Sequence, residues 1–128
     1  KKRRIRVLIA SNDIHVQKVA LQTLQKIGYG ADVVPHGNEV LTALAKARYD
    51  LVLMDTDLPQ VDGMAAAAAI RRKEKQTGEH IPLVGMTSQA AGKDRQRCME
   101  AGMDDYILKP LQAIDLADVL DRFLSEAD

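Results

Sequence analysis

Short continuous apolar runs alternate along this chain with longer stretches in which apolar residues return at helical spacing. That alternation predicts βα units around a parallel sheet. Ile5–Ala10 reads as a first strand. Ile14–Ile27 follows as a helix with Val16, Val19, Ala20, Leu24 and Ile27 on one face, and Gly28 stops it. Asp32–Val34 is a short second strand, and Asn38 is expected to cap a helix that turns Val40, Leu41, Leu44 and Ala45 inward. Leu51–Met54 is apolar without alternation, as a central strand covered on both faces requires. Beyond Pro59 and the turn Asp62-Gly63, Met64–Lys75 is helical, and its alanines Ala65–Ala69 need no cause beyond high helix propensity. Ile81–Met86 is the fourth strand and Gln89–Ala101 a helix closed by Gly102. Tyr106–Leu108 is the fifth strand, and Ile114–Leu124 the last helix, with Leu116, Val119, Leu120 and Phe123 facing the core.

The ends of these strands carry the chemistry. Leu51–Met54 runs into Asp55, Leu83–Met86 into Thr87, Tyr106–Leu108 into Lys109, and Val7–Ala10 into Ser11-Asn12-Asp13. In an open parallel sheet, ligands bind beyond the carboxyl ends of the strands where the winding reverses. An acid, a hydroxyl and an ammonium therefore converge on one edge. Taken singly, Asp55 would read as a turn cap, Lys109 as a solvated side chain and Tyr106 as core. It is their joint placement that points to a site.

Composition narrows the classes. At 128 residues there is room for one core, and no apolar run reaches the length of a membrane span. Five of the 18 basic residues fall within Lys1–Arg6, leaving 13 against 18 acidic ones, so the body carries a net charge of about −5. Such a surface does not replace phosphate counterions, which argues against a nucleic-acid groove. Lys1–Arg4 is expected to be a basic linker end, with the folded domain over residues 5–128. A single cysteine, Cys98, closes no internal disulfide, and no signal peptide is evident, so a reducing cytoplasmic setting is expected. No glycine-rich phosphate loop follows the first strand, which disfavours a nucleotide enzyme, and His15, His36 and His80 lack metal-ligand spacing.

Three motifs carry a resemblance over essentially the whole chain. They are Asp50-Leu51-Val52-Leu53-Met54-Asp55 with Pro59 and Asp62-Gly63; Ile81-Pro82-Leu83-Val84 ending in Thr87; and Ala101-Gly102-Met103-Asp104-Asp105-Tyr106 with Lys109-Pro110. With these, the chain resembles the response-regulator receiver domains. Gln17-Lys18-Val19-Ala20-Leu21, Asp94-Arg95 with Cys98, and Gly102-Met103-Asp104-Asp105-Tyr106 look most like receivers of hybrid sensor histidine kinases. The resemblance implies a flavodoxin-like five-stranded parallel sheet of order 2-1-3-4-5 with five helices, the order being that of a family member rather than a derivation from this sequence. It implies a regulatory domain, not an enzyme. Asp55 would accept a phosphoryl group from a phosphohistidine on a histidine kinase or phosphotransfer domain, Thr87 and Lys109 would stabilise the phosphoryl oxygens, and Thr87 with Tyr106 would form the switch. Pro59, Gly63 and Pro110 would be structural, with the Lys109-Pro110 peptide bond cis.

The resemblance also implies magnesium, held by Asp55, by the backbone carbonyl of Asp57 and by an acidic pair after the first strand. Here that pair is Ser11-Asn12. Asn12 retains an amide oxygen as a weak ligand, Ser11 could hold a metal-bound water, and Asp13, one position later, either reaches the site or caps the helix beginning near Ile14. Magnesium affinity is therefore expected to be weakened and phosphorylation slow or absent. The alternative function is a pseudo-receiver, a phosphorylation-independent interaction module locked by the Asp55 and Lys109 pair. A small-molecule binder of flavodoxin type is weaker, since aromatic residues for ring stacking are scarce. The domain itself is not expected to touch a membrane, although a parent protein could be anchored in one.

Overall fold

The computed structural model describes residues 4–57, 63–88 and 92–124. Five strands and five helices alternate among them: β1 (Arg6–Ala10), α1 (Ile14–Ile27), β2 (Gly30–Val34), α2 (Asn38–Lys46), β3 (Leu51–Asp55), α3 (Gly63–Thr77), β4 (Leu83–Thr87), α4 (Gly92–Glu100), β5 (Asp105–Leu108) and α5 (Ala113–Leu124). The strands form one parallel sheet in the order β2-β1-β3-β4-β5. The winding thus reverses between β1, which is followed by Ser11, and β3, which ends at Asp55.

Burial follows the strand order. Every residue of β3 and β4 is buried, and so is β1 after Arg6, whereas the edge strand β2 is half-buried throughout. Alternate side chains of the central strands feed two cores. Val7, Ile9, Leu51, Leu53, Val84 and Met86 meet α1 and α5 through Val16, Leu24, Leu116 and Leu120. Leu8, Ala10, Val52, Met54 and Leu83 meet α2, α3 and α4 through Val40, Ala66, Ala67, Ile70 and Cys98. Each of the larger side chains, fully removed from water, contributes about 1.5–3 kcal/mol. Two of the alanines in the Ala65–Ala69 run thus have a packing role, since Ala66 and Ala67 let α3 lie close on the sheet.

Local signals set most of the ends. Gly28 takes φ +97 after α1, and its amide bonds back to Leu24 and Gln25, closing the helix in the left-handed conformation that glycine adopts without steric cost. The cap expected of Asn38 is not formed. Gly37 stands at the N-cap in helical conformation, Asn38 is the first residue of α2, and no side chain caps it. The carbonyls of His36 and Gly37 accept from the amides of Glu39 and Val40, a tight first turn in which the Val40 amide that an Asn38 cap would take is already bonded. Strand β4 begins two residues later than the apolar run suggested and includes Thr87. Pro82 offers no donor, and its carbonyl accepts from Val52 at the entry to the strand. Pro59, Asp62 and Gln89 lie outside the described residues, as do the side chains of Asp94 and Arg95 and residues 1–3 of the basic run, while Gly63 opens α3.

An ion-pair network that sequence reasoning missed ties α3 to the start of β4 and the α4–β5 turn. Arg71 donates through Nε to the Gly102 carbonyl, and through its terminal nitrogens to Glu74, the Ile81 carbonyl and Asp104. Asp104 in turn accepts from the Leu83 amide and lies 2.8 Å from His80 Nε2. Arg71 and Glu74 are an i,i+3 pair, which was the available signal; Asp104 is 33 positions away, and no periodicity joins them.

Candidate phosphoacceptor site

Asp55 is the last residue of β3, and only 1% of it is exposed. A carboxylate this deep is stable only if charge and hydrogen bonds replace its water. Three donors do so. Lys109 Nζ lies 2.7 Å from Oδ1, the Asp57 amide 2.9 Å from the same oxygen, and Ser11 Oγ 2.8 Å from Oδ2. The ammonium also lies 3.4 Å from Asp57 Oδ2.

The donors come from three strand exits: Ser11 after β1, Asp57 after β3 itself, and Lys109 after β5. Ser11 follows β1, is fully buried, donates its amide to the Val34 carbonyl, and accepts the Gln17 side chain on its own carbonyl at 2.6 Å. Lys109 follows β5, where its amide bonds to the Thr87 carbonyl at 2.7 Å and the Lys109-Pro110 peptide bond is cis, as expected. Thr87 is buried at the end of β4, one step beyond Met86, the register partner of Asp55. Tyr106 is half-buried on β5 opposite Gly85. Burial alone would depress the Lys109 ammonium, but its hydrogen bond and charge interaction with Asp55, helped by Asp57, outweigh it and raise its pKa above the ordinary lysine value.

The residues after β1 divide their tasks. Asp13 is the N-cap of α1, its Oδ1 accepting from the His15 and Val16 amides at 2.9 and 3.4 Å. Of the two readings open for Asp13, capping is the one formed. Ser11 spends its hydroxyl proton on Asp55 rather than on an outside water, a contact that sequence reasoning missed. A hydroxyl at this place donates where an acid would only accept. Asn12 is exposed at the same edge.

The donor set suits a magnesium ion, which takes oxygen ligands, keeps several waters and needs only one or two carboxylates. Asp55, the Asp57 carbonyl and the Asn12 amide would hold it. The charge they offer is small, and among the described residues no group of three or more acidic, histidine or cysteine side chains converges.

A profile of the response regulator receiver domain matches residues 7–121. The chain belongs to this family. Hybrid signal transduction histidine kinase K of Dictyostelium discoideum is 36% identical over 122 residues, covering 91% of the chain but 10% of that kinase. Among solved structures, the receiver domain of sensor histidine kinase PA1611 from Pseudomonas aeruginosa, described with a magnesium ion coordinated in its active-site cleft, is 31% identical. It superposes with a TM-score of 0.85 over 97% of this chain and all of that one. The receiver domain of Ssk1 from Saccharomyces cerevisiae, crystallised with the histidine phosphotransfer protein Ypd1, gives 25% identity and a TM-score of 0.87, covering 98% of this chain and 95% of that one. As a receiver domain of two-component signalling, the chain is a regulatory phosphoacceptor module rather than an enzyme, and kinase activity in such relatives belongs to other parts of much longer chains. No helix among the described residues is long and apolar enough to cross a membrane.

Proposed function

We propose that this receiver domain is a segment of a hybrid histidine kinase and that Asp55 accepts a phosphoryl group from a phosphohistidine of a histidine kinase or phosphotransfer domain. The observation that carries this reading is the buried Asp55 carboxylate with the Lys109 ammonium at 2.7 Å. A carboxylate oxygen attacks phosphorus, the P–N bond breaks, and the electron pair returns to the ring nitrogen. With the other nitrogen keeping its proton, the donor leaves as neutral imidazole. Transfer of this kind is mostly positioning and electrostatic stabilisation. Lys109 neutralises phosphoryl oxygen, Thr87 donates its hydroxyl, and the joint movement of Thr87 and Tyr106 reports the event to the surface. When bound, magnesium supplies further neutralisation of the phosphoryl charge. With Ser11-Asn12 in place of an acidic pair, its affinity is weakened.

A histidine-bearing helical partner also finds apolar anchors at this edge. Ile14 at the start of α1 and Ile114 at the start of α5 are 78% and 72% exposed, both on the side of the sheet where Asp55 ends its strand.

The pseudo-receiver reading is favoured by one observation, the ion pair of Asp55 with Lys109, completed by the hydroxyl of Ser11 and the amide of Asp57. Incubation with a phosphorylated histidine phosphotransfer domain separates the two. Gain of one phosphoryl mass on the chain, lost in Asp55→Asn, is the expected result. No labelling of the wild-type chain with magnesium at saturation would leave only the interaction module.

A further inference from the structure

We propose that Ser11 is a positioning residue that holds Asp55 Oδ2 with its hydroxyl on the side where a cation would bind, so that magnesium meets a competing donor on that oxygen. The inference rests on Asp55 being the phosphoacceptor and deepens that reading into a statement about how the site is controlled.

The argument is one of lone pairs. An ionised carboxylate offers about four acceptor positions. Asp55 has three filled: Oδ1 by Lys109 and the Asp57 amide, and Oδ2 by Ser11. One position remains, on Oδ2. Phosphoryl transfer with a bound cation needs two, one for phosphorus and one for the metal. The cation and the phosphoryl group therefore cannot both engage Asp55 until a donor withdraws.

Ser11 is the donor whose departure costs the site least. Lys109 carries the opposite charge, and the Asp57 amide is fixed by the backbone two residues from Asp55. Ser11 brings no charge, and its hydroxyl can rotate. Its resting place is nonetheless well defined, because Oγ accepts from the Asp13 amide at 3.1 Å, which leaves its single proton to point at Asp55. Full burial keeps water from replacing either bond. A carboxylate at position 11 would repel Asp55 and attract a cation, whereas serine does the reverse. Magnesium therefore enters by competition with the hydroxyl.

Titration of the purified chain with magnesium chloride alone, followed by the amide resonances of Asp57, Thr87 and Tyr106, tests the competition. Ser11→Ala removes the competitor, and magnesium affinity is expected to rise roughly tenfold, the scale of one hydrogen bond to a charged group. Ser11→Cys keeps the volume and leaves a weak donor, so affinity should rise by less. It also provides the measurement if the alanine variant does not fold. Equal or weaker magnesium binding in the folded variants overturns the inference; weaker binding would assign the hydroxyl to holding a metal-bound water. No phosphoryl donor enters this experiment, so its failure leaves Asp55 as acceptor untouched. Failure of labelling at Asp55 would conversely leave the magnesium result standing.

Discussion

Asp55 and Lys109 form a buried ion pair at the sheet edge. The carboxylate is 1% exposed and the lysine side chain 14%, so neither ion can be left without the other at small cost. Removing one partner of such a buried pair typically costs about 3–5 kcal/mol, chiefly because the remaining charge is stranded. Lys109→Ala is expected at the low end, about 3 kcal/mol by urea denaturation, since Ser11 and the Asp57 amide still bond to the carboxylate. The pH dependence follows from the raised lysine pKa. Because the folded-state value lies above the unfolded one, near 10.5, the pair stabilises fully below that pH and the stabilisation is lost as pH rises through the folded value. The melting temperature of the wild-type chain should therefore fall above about pH 10.5 more steeply than that of Lys109→Ala, and parallel curves would contradict the pairing. At this scale the sequence was informative about which residues meet and silent about how. Asp55, Thr87 and Lys109 were legible as polar ends of apolar runs. The Ser11 bond was not, because the direction of a hydroxyl depends on what faces it.

Elements bring these residues together, and the α4–β5 turn shows how little freedom they have. Gly102 takes φ +107, and a Cβ there would stand 2.6 Å from Arg71 Cγ. Arg71 cannot give way at its stem, since its guanidinium is held by Gly102, Ile81, Glu74 and Asp104. Gly102→Ala therefore combines backbone strain with overpacking, and a loss of about 2–3 kcal/mol is expected in denaturant unfolding. In an Arg71→Ala background the same substitution should cost only about 1 kcal/mol, the backbone part, and strict additivity would show that the two do not meet. The network spans sequence separations of up to 33 residues, which is why helical periodicity found α3 without finding its anchor. Helix ends fared similarly. Gly28 was readable because the left-handed cap is a local requirement, whereas Asn38 was misjudged because the two preceding carbonyls completed the turn in its place.

On the scale of the whole molecule, one edge of the sheet gathers the Asp55 carboxylate, the Lys109 ammonium and two exposed isoleucines. Ile14→Asp and Ile114→Asp should each raise KM for transfer from a phosphohistidine domain several-fold, about 1 kcal/mol or more of lost docking energy, with a smaller effect on kcat. An unchanged KM in both would move the docking surface elsewhere. The apolar runs by themselves determined that this chain forms alternating strands and helices, that the Leu51–Met54 strand is central, and that its polar terminus lies where ligands bind, because periodicity and continuity of apolar residues are local consequences of burial. They did not determine the strand order, which came from resemblance, nor which of Ser11, Asn12 and Asp13 addresses the acid. That was decided by the parallel pairing of β1 with β3, which sets Ser11 against Asp55 and turns Asp13 toward the first amides of α1. Such contacts join residues 44 and 54 positions apart, and their energies depend on distances that only the packed sheet fixes.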